Sequence, residues 1–458
     1  MKFMVFLTAM SVFFAMSAHP AMAFQQIDWL KAQQDAYATG LVDSYQGDGQ
    51  DYAYIYDQAL AVIAFSADNE TVRAKQILDM MSVLQDSQGR WYECYSAATG
   101  GLGHGGCYSY VTGPVAWMVM AVNYYEAETG DNSYAAMARK ALSWLDTMRN
   151  TSTGDERYGS LRFCSGPACA IPNAVSTEHN HDAYSAYMWR GRVAGDYSCI
   201  QSNLTGQQNQ SCRQKAGLIR SYLLKEMWAP SPDSNGPYHD VNVFWRGFGD
   251  FAWCTDTQSW GVLSLGPDGP NGEQLGLSLE WLYYNQYGST RNQQDYNATV
   301  QNVDGFKSCT GDPNYIWLEG TDGVASAFYR AGDKARGDYF HGQVARVASP
   351  NGGVIHTFNE SGPGQVAWPY NWRYNSVAST AWHYFSSQGV NPFAPNYTIF
   401  ADVNRDCAVN IFDMSEVGIA YGTSQGQPGW NGKADFDRNG RINILDLATV
   451  GLNFGKTC

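Results

Sequence analysis

The feature that most constrains the fold is a segment type recurring six times. "YDQALAVIAFSA", "GPVAWMVMAVNYY", "NHDAYSAYMWRG", "DTQSWGVLSLG", "EGTDGVASAFYRAG" and "NSVASTAWHYFSS" each follow a polar or aromatic entry with small and apolar residues at helical spacing. They start near residues 57, 114, 181, 257, 321 and 376, intervals of 55 to 76 residues. Each interval holds one further helix and two connections. "TVRAKQILDMMSVLQ" and "YAAMARKALSWLDTM" are clear examples of that further helix, charged on one side and apolar on the other. A hairpin of this size cannot bury its apolar face alone, so it must stack on neighbours.

Six such pairs closing on themselves make an all-α protein, an (α/α)6 toroid, expected over residues 24–392. The Ala, Ser and Gly of the six segments suit a crowded inner ring, and the Lys, Arg and Glu of the intervening helices suit an outer one. Strand signals are sparse. Before this region, Lys2, an apolar run from Phe3 to Ala15, and Ala21 and Ala23 form the pattern of a signal peptide, residues 1–23, cut before Phe24. No later stretch reaches the roughly 20 apolar residues of a membrane helix. An exported chain fits its ten cysteines, an even number. Neighbour pairing suggests Cys94–Cys107, Cys164–Cys169, Cys199–Cys212, Cys254–Cys309 and Cys407–Cys458. The net charge of -14 argues against nucleic acid and anionic membranes as partners, because phosphate binding is driven by Lys and Arg. Neutral polymers remain. Aromatic residues in polar stretches such as "GRWYECYS" and "WPYNWRYN" suit half-wet surfaces, including sugar faces.

After a linker at 393–400, residues 401–458 contain an internal repeat. "DVNRDCAVNIFDMSEVGIAYG" (402 to 422) aligns without a gap on "DFDRNGRINILDLATVGLNFG" (435 to 455). Both copies open with oxygen ligands at the spacing of a calcium loop. The first offers Asp402, Asn404, Asp406, Asn410 and Asp413, with the carbonyl of Ala408. The second offers Asp435, Asp437, Asn439, Asn443 and Asp446, with the carbonyl of Arg441. Calcium takes six to eight oxygens, and alternate positions of a tight loop converge on one point. Two calcium sites are therefore expected. Gly440 fills the sharp-turn position of the second loop; Cys407 stands there in the first. On these loops and the helix after each, the tail resembles a type I dockerin, which implies calcium binding and a cohesin-bearing scaffold as partner. The family often carries Ser and Thr after loop position nine. Here Ile411 and Phe412, then Ile444 and Leu445, stand instead, so cohesin binding does not carry over as calcium binding does, and packing on the large domain stays open beside a cohesin partner.

In a closed ring of antiparallel hairpins, the N-termini of all inner helices meet at one pole. That pole collects Asp57, Glu178 with His179 and Asp182, Asp256 with Trp260, Glu319 with Asp322, and Trp372, Arg373 and Asn375. An acid in a first helical turn also stabilises the helix dipole, so Asp57 and Asp256 read equally as caps. Four hairpins contributing acids to one place is the stronger signal. On "YDQAL", "STEHNHDAY", "DTQSWG" and "WLEGTDG" the large domain resembles the six-hairpin glycoside hydrolases. This resemblance implies cleavage of a polysaccharide or oligosaccharide by two carboxylates, with Glu178 and Glu319 as the leading pair and Asp256, Asp182 and Asp57 as further candidates. The same resemblance points to His179, Trp260, Trp372, Arg373 and Asn375 as sugar contacts. Two other readings stand beside it: a carbohydrate-binding protein without catalysis, and a polysaccharide lyase. His179 and His181, two residues apart, face different sides of a helix, unlike the one-turn spacing of a zinc pair. "QDSQGRW" (85 to 91) is expected to cap a hairpin turn, with Gln bonding backbone and Trp entering the core.

Overall fold

A computed structural model describes residues 19–199, 210–229, 242–269, 273–285, 287–290, 302–312, 315–359 and 374–395. In the C-terminal part it describes 401, 403, 409–424, 427, 429–431, 434–436 and 440–455. The leader up to residue 18, Trp372 and Arg373 lie outside the described residues, and the expected cut before Phe24 falls within the first helix.

Among the described residues, twelve α-helices build the large domain: α1 (His19–Asp35), α2 (Ile55–Ala67), α3 (Thr71–Leu84), α4 (Thr112–Thr129), α5 (Ala135–Thr147), α6 (Thr177–Val193), α7 (Cys212–Tyr222), α8 (Thr255–Leu265), α9 (Leu277–Asn285), α10 (Leu318–Arg330), α11 (Lys334–Ala345) and α12 (Val377–Gln388). The even-numbered helices form the inner ring. Each packs on the next, and α12 packs back on α2, which closes the toroid. From α2 to α10, each inner helix pairs with the outer helix that follows it. The sixth pair joins the two ends of the domain, α1 lying against α12. Inner helices are buried nearly all round, as in α2, where Ile55 and every residue from Asp57 to Ser66 are buried. Such a helix is stable only when surrounded. Outer helices bury one stripe, as α5 does with Met137, Ala138, Ala141, Leu142, Trp144 and Leu145.

Short antiparallel ladders, each of two strands, pin the entries to the inner helices. Tyr52–Tyr54 pairs with Cys94–Ser96, Tyr110–Val111 with Cys164–Ser165, Tyr315–Trp317 with Thr357–Asn359, and Asn375–Ser376 with Val354–Ile355. In each pair one strand runs directly into α2, α4, α10 or α12, so backbone pairing sets where those helices begin. The disulfides Cys94–Cys107, Cys164–Cys169, Cys199–Cys212 and Cys254–Cys309 form as expected. Cys407 and Cys458 lie outside the described residues. "QDSQGRW" closes a turn. The Gln85 amide donates to the carbonyls of Gly89 and Met137, and the Trp91 indole to that of Met81. Gly89 is required there: its φ is +90°, and a Cβ would lie 2.2 Å from the Lys140 carbonyl oxygen.

The tail has its own small core. Helices α13 (Ile411–Ala420) and α14 (Ile444–Asn453) pack on each other around Val409, Val417, Ala420, Ile442 and Val450.

Candidate active site

The second residue of each inner helix is Tyr56, Gly113, Glu178, Asp256, Glu319 and Ala378 in turn. Four residues on, one helical turn deeper, stand Leu60, Trp117, Asp182, Trp260, Gly323 and Trp382. Residues at i and i+4 share a helix face, so these positions form two layers about one axis. The lower layer meets across the ring. Trp117 of α4 touches Trp260 of α8 and Trp382 of α12 at ring separations of 5.6 and 6.3 Å, although no two of these helices are ring neighbours. Trp260 and Trp382 stack at 6.1 Å with planes 9° apart. Gly323 lies between them and Ser259, where a Cβ would already stand 3.9 Å from both indoles. The result is an indole floor beneath an acidic layer.

Above that floor, the Tyr56 hydroxyl donates to Glu319 Oε1 at 2.6 Å and itself accepts from the Trp382 indole at 3.0 Å. Glu178 keeps part of its surface open, and no hydrogen-bond donor addresses it among the described residues. Burial, with Asp256 and Glu319 as negative neighbours, raises its pKa well above the usual carboxylate range. Burial raises Glu319 to about 8, with Asp57 and Asp256 adding to the shift, against the opposing bonds from Tyr56 and Trp317. Asp256, which accepts the Thr257 N–H at 2.6 Å, is raised to about 7 by burial. Asp182 is 1 % exposed and pushed well up by burial and by Glu178 and Asp256. Burial and mutual repulsion keep protons on this layer, which a proton donor needs, while the Tyr56 bond favours the charged form of Glu319.

The other expected site residues are placed differently. Asp57 is turned out of the layer, bonded to Ser44 and to the Ala378 N–H at the start of α12, as a cap would be. His179 is 5 % exposed and stacks on Phe163 at 4.4 Å. His181 meets Ser264 and the edge of Phe244. Burial lowers both histidines to about 3, so they are neutral. Asn375 joins Ser349 and Gln46 in a polar network with Trp29. Asp322 faces outward, bonded to His341 of α11 and His383 of α12 at 3.0 and 2.9 Å. Burial opposes the charge on Asp322, yet the two histidines hold its pKa below the ordinary value. The imidazoles stack at 4.4 Å with planes 23° apart. A shared metal must lie near both ring planes about 2 Å from each nitrogen, so face-to-face rings fit a hydrogen-bonded staple instead. Tyr56, Trp117 and Trp382 were not singled out from the sequence, although the four-residue step from each layer-one position was there to be read.

In the tail, Asn410 and Asn443 begin α13 and α14 in capping boxes with Asp413 and Asp446. Both aspartates are fully buried. Asp446 accepts the N–H groups of Phe436 and Asn443, each at 2.8 Å, and Asp435 accepts that of Gly440, whose φ is +77°. Buried carboxylates at the twelfth position of an oxygen-rich loop suit a cation, since such charges are paired or bind metal. Asp402, Asn404, Asp406, Ala408, Asp437 and Asn439 lie outside the described residues.

Among solved structures, a glycosidase matches with a TM-score of 0.60 at 14 % identity, over 82 % of this chain and 97 % of that one. A D-mannose isomerase matches at 0.59 and 9 %, covering 83 % and 99 %. A bacterial glucoamylase complexed with acarbose matches at 0.59 and 12 %, covering 82 % of this chain and 57 % of its own. At such identities the likeness establishes the helical toroid and not the reaction. No curated protein sequence matches the chain. Residues 400–451 match the dockerin type I domain, a family that binds calcium, so the chain joins an (α/α)6 toroid to a dockerin.

Proposed function

We propose that the chain is an exported glycoside hydrolase in which Glu178 is the general acid and Glu319 the general base. The carrying observation is the contrast between the two glutamates. Tyr56 donates a hydrogen bond to Glu319, which favours its ionised form, whereas among the described residues no donor addresses Glu178, and burial with neighbouring acids favours its protonated form. Glu178 gives its proton to the glycosidic oxygen as that bond breaks. Glu319 takes a proton from the water whose oxygen attacks the anomeric carbon. Burial, with Asp256 and Glu319 nearby, keeps Glu178 protonated. The substrate is a polysaccharide or oligosaccharide, and the indole floor, almost wholly buried, including the Trp260 expected as a sugar contact, supports the acids from below.

Four disulfides support an oxidising compartment and so export. The dockerin takes two calcium ions, one per loop, and ties the enzyme to a cohesin-bearing scaffold. Ile411, Phe412, Ile444 and Leu445 are all about 60 % exposed, which favours a separate partner over packing on the large domain.

The test is a panel of polysaccharides and oligosaccharides assayed with wild type, Glu178→Gln and Glu319→Gln. New reducing ends without an unsaturated, ultraviolet-absorbing product are expected, and each variant should lose at least about 100-fold in kcat. An absorbing product identifies a lyase. Binding without cleavage identifies a lectin-like protein, and full activity in both variants removes these glutamates from the mechanism.

A further inference from the structure

After α12 the chain reverses at Gly389 and returns beneath the ring as residues 390–395. Asn391 anchors this return. Its amide donates to the carbonyl of Leu263 in the last turn of α8, where helix carbonyls lack an internal partner, and its side-chain oxygen accepts the Phe393 N–H. The anchor sets Phe393, fully buried, among the three indoles of the floor. Its ring lies 5.1 Å from Trp117, 5.3 Å from Trp260 and 6.4 Å from Trp382. Trp382 in turn holds the hydroxyl of Tyr56, which holds Glu319.

We infer that Phe393 is a positioning residue for the Glu319 carboxylate, acting through Trp382 and Tyr56. Every inner helix already supplies its lower-layer residue, and three of the six, Leu60, Asp182 and Gly323, contribute no ring. The space on the axis below the indoles is filled from outside the hairpins. Without the phenyl ring, three indoles face a void, and Trp382 loses the contact that keeps its N–H on the Tyr56 oxygen. This inference rests on Glu319 being the base, and its test separates the two claims.

The experiment compares the full-length wild type, Phe393→Ala, Phe393→Leu and Phe340→Ala. Phe340 is equally buried but packs on Phe306 and Phe328, away from the floor. The substrate-free readout is tryptophan fluorescence against pH, in which Trp382 reports ionisation of the group bonded to Tyr56. Wild type should show a transition that Glu319→Gln abolishes. Phe393→Ala should move it to higher pH, as Tyr56→Phe does, because the Tyr56 bond that favours the charged carboxylate loosens. Phe393→Leu should restore it in part, and Phe340→Ala should leave it in place despite a comparable loss of melting temperature. With substrate, Phe393→Ala should lower kcat about tenfold or more with KM little changed. An unmoved transition in Phe393→Ala, or an equal shift in Phe340→Ala, overturns the inference. A normal set of transitions with no glycan cleaved leaves the positioning intact and overturns the proposed function alone.

Discussion

In the proposed mechanism one hydrogen bond, from Tyr56 to Glu319, gives different roles to two chemically identical groups, the carboxyls of Glu319 and Glu178. A carboxylate that accepts an O–H is drawn toward its charged form, and a buried carboxylate without a donor is not. The substitution Tyr56→Phe removes one charge-assisted bond, typically worth about 1.5–3 kcal/mol. It should therefore lower kcat roughly 10- to 100-fold and move the acid limb of the rate profile to higher pH. An unchanged limb means that Tyr56 does not tune Glu319. The raised acids also set the pH dependence of stability. Asp256 near 7 and Glu319 near 8 hold protons in the folded state that they release at about pH 4 when unfolded. Stability must then fall as pH rises from about 4 to about 8. Asp322 acts oppositely. Its lowered folded pKa stabilises above the unfolded value and loses that contribution as pH falls through the folded value. Melting temperatures should peak at about pH 4, and Glu319→Gln should gain most at pH 8. A maximum at pH 8 contradicts the raised values.

At the scale of helices, the inner ring was legible because small and apolar residues recur at helical spacing in all six segments. The expected starts near 57, 114, 181, 257, 321 and 376 stand against observed starts at 55, 112, 177, 255, 318 and 377. The placement of Glu178, Asp256 and Glu319 at one pole followed from helix direction alone. What those segments hid was which residues of each turn face the axis. Asp57 and Asp322 sit one residue from the axial positions and turn away, and nothing in their own identity says so. Tyr56 was passed over as an entry residue, and Phe393 as the start of a linker, because their roles come from contacts more than 120 residues apart in sequence. Close helix approach makes a sharper test. A Cβ on Gly113 would stand 2.5 Å from the His179 ring and 2.9 Å from Asp182, between α4 and α6, whereas one on Gly323 meets only ordinary contacts. Gly113→Ala should cost about 1–3 kcal/mol in urea unfolding, and Gly323→Ala little or nothing. Equal costs would refute the layered packing of these helices.

The whole molecule joins two units with different sources of stability. The toroid buries a large contiguous core and is stapled by disulfides within single connections and between neighbouring ones. The tail's core is a handful of small aliphatic residues, and Asp413 and Asp446 are buried beside it. A domain this small cannot offset the desolvation of two buried carboxylates by apolar burial alone, so cation binding should supply folding free energy. Chelation then has to act on one unit only. Calorimetry of the full chain should resolve a smaller transition that a calcium chelator abolishes or moves down by tens of degrees, beside a larger one that it leaves unchanged. The two loops should also differ. Gly440 takes the positive φ that the turn demands at no steric cost, and a cysteine at the matching place in the first loop does not. Calcium titration is therefore expected to show a tighter site lost in Asp446→Asn and a weaker one lost in Asp413→Asn. Loss of the toroid transition on chelation, or a tail indifferent to calcium, would show that the metal does not organise this end of the chain.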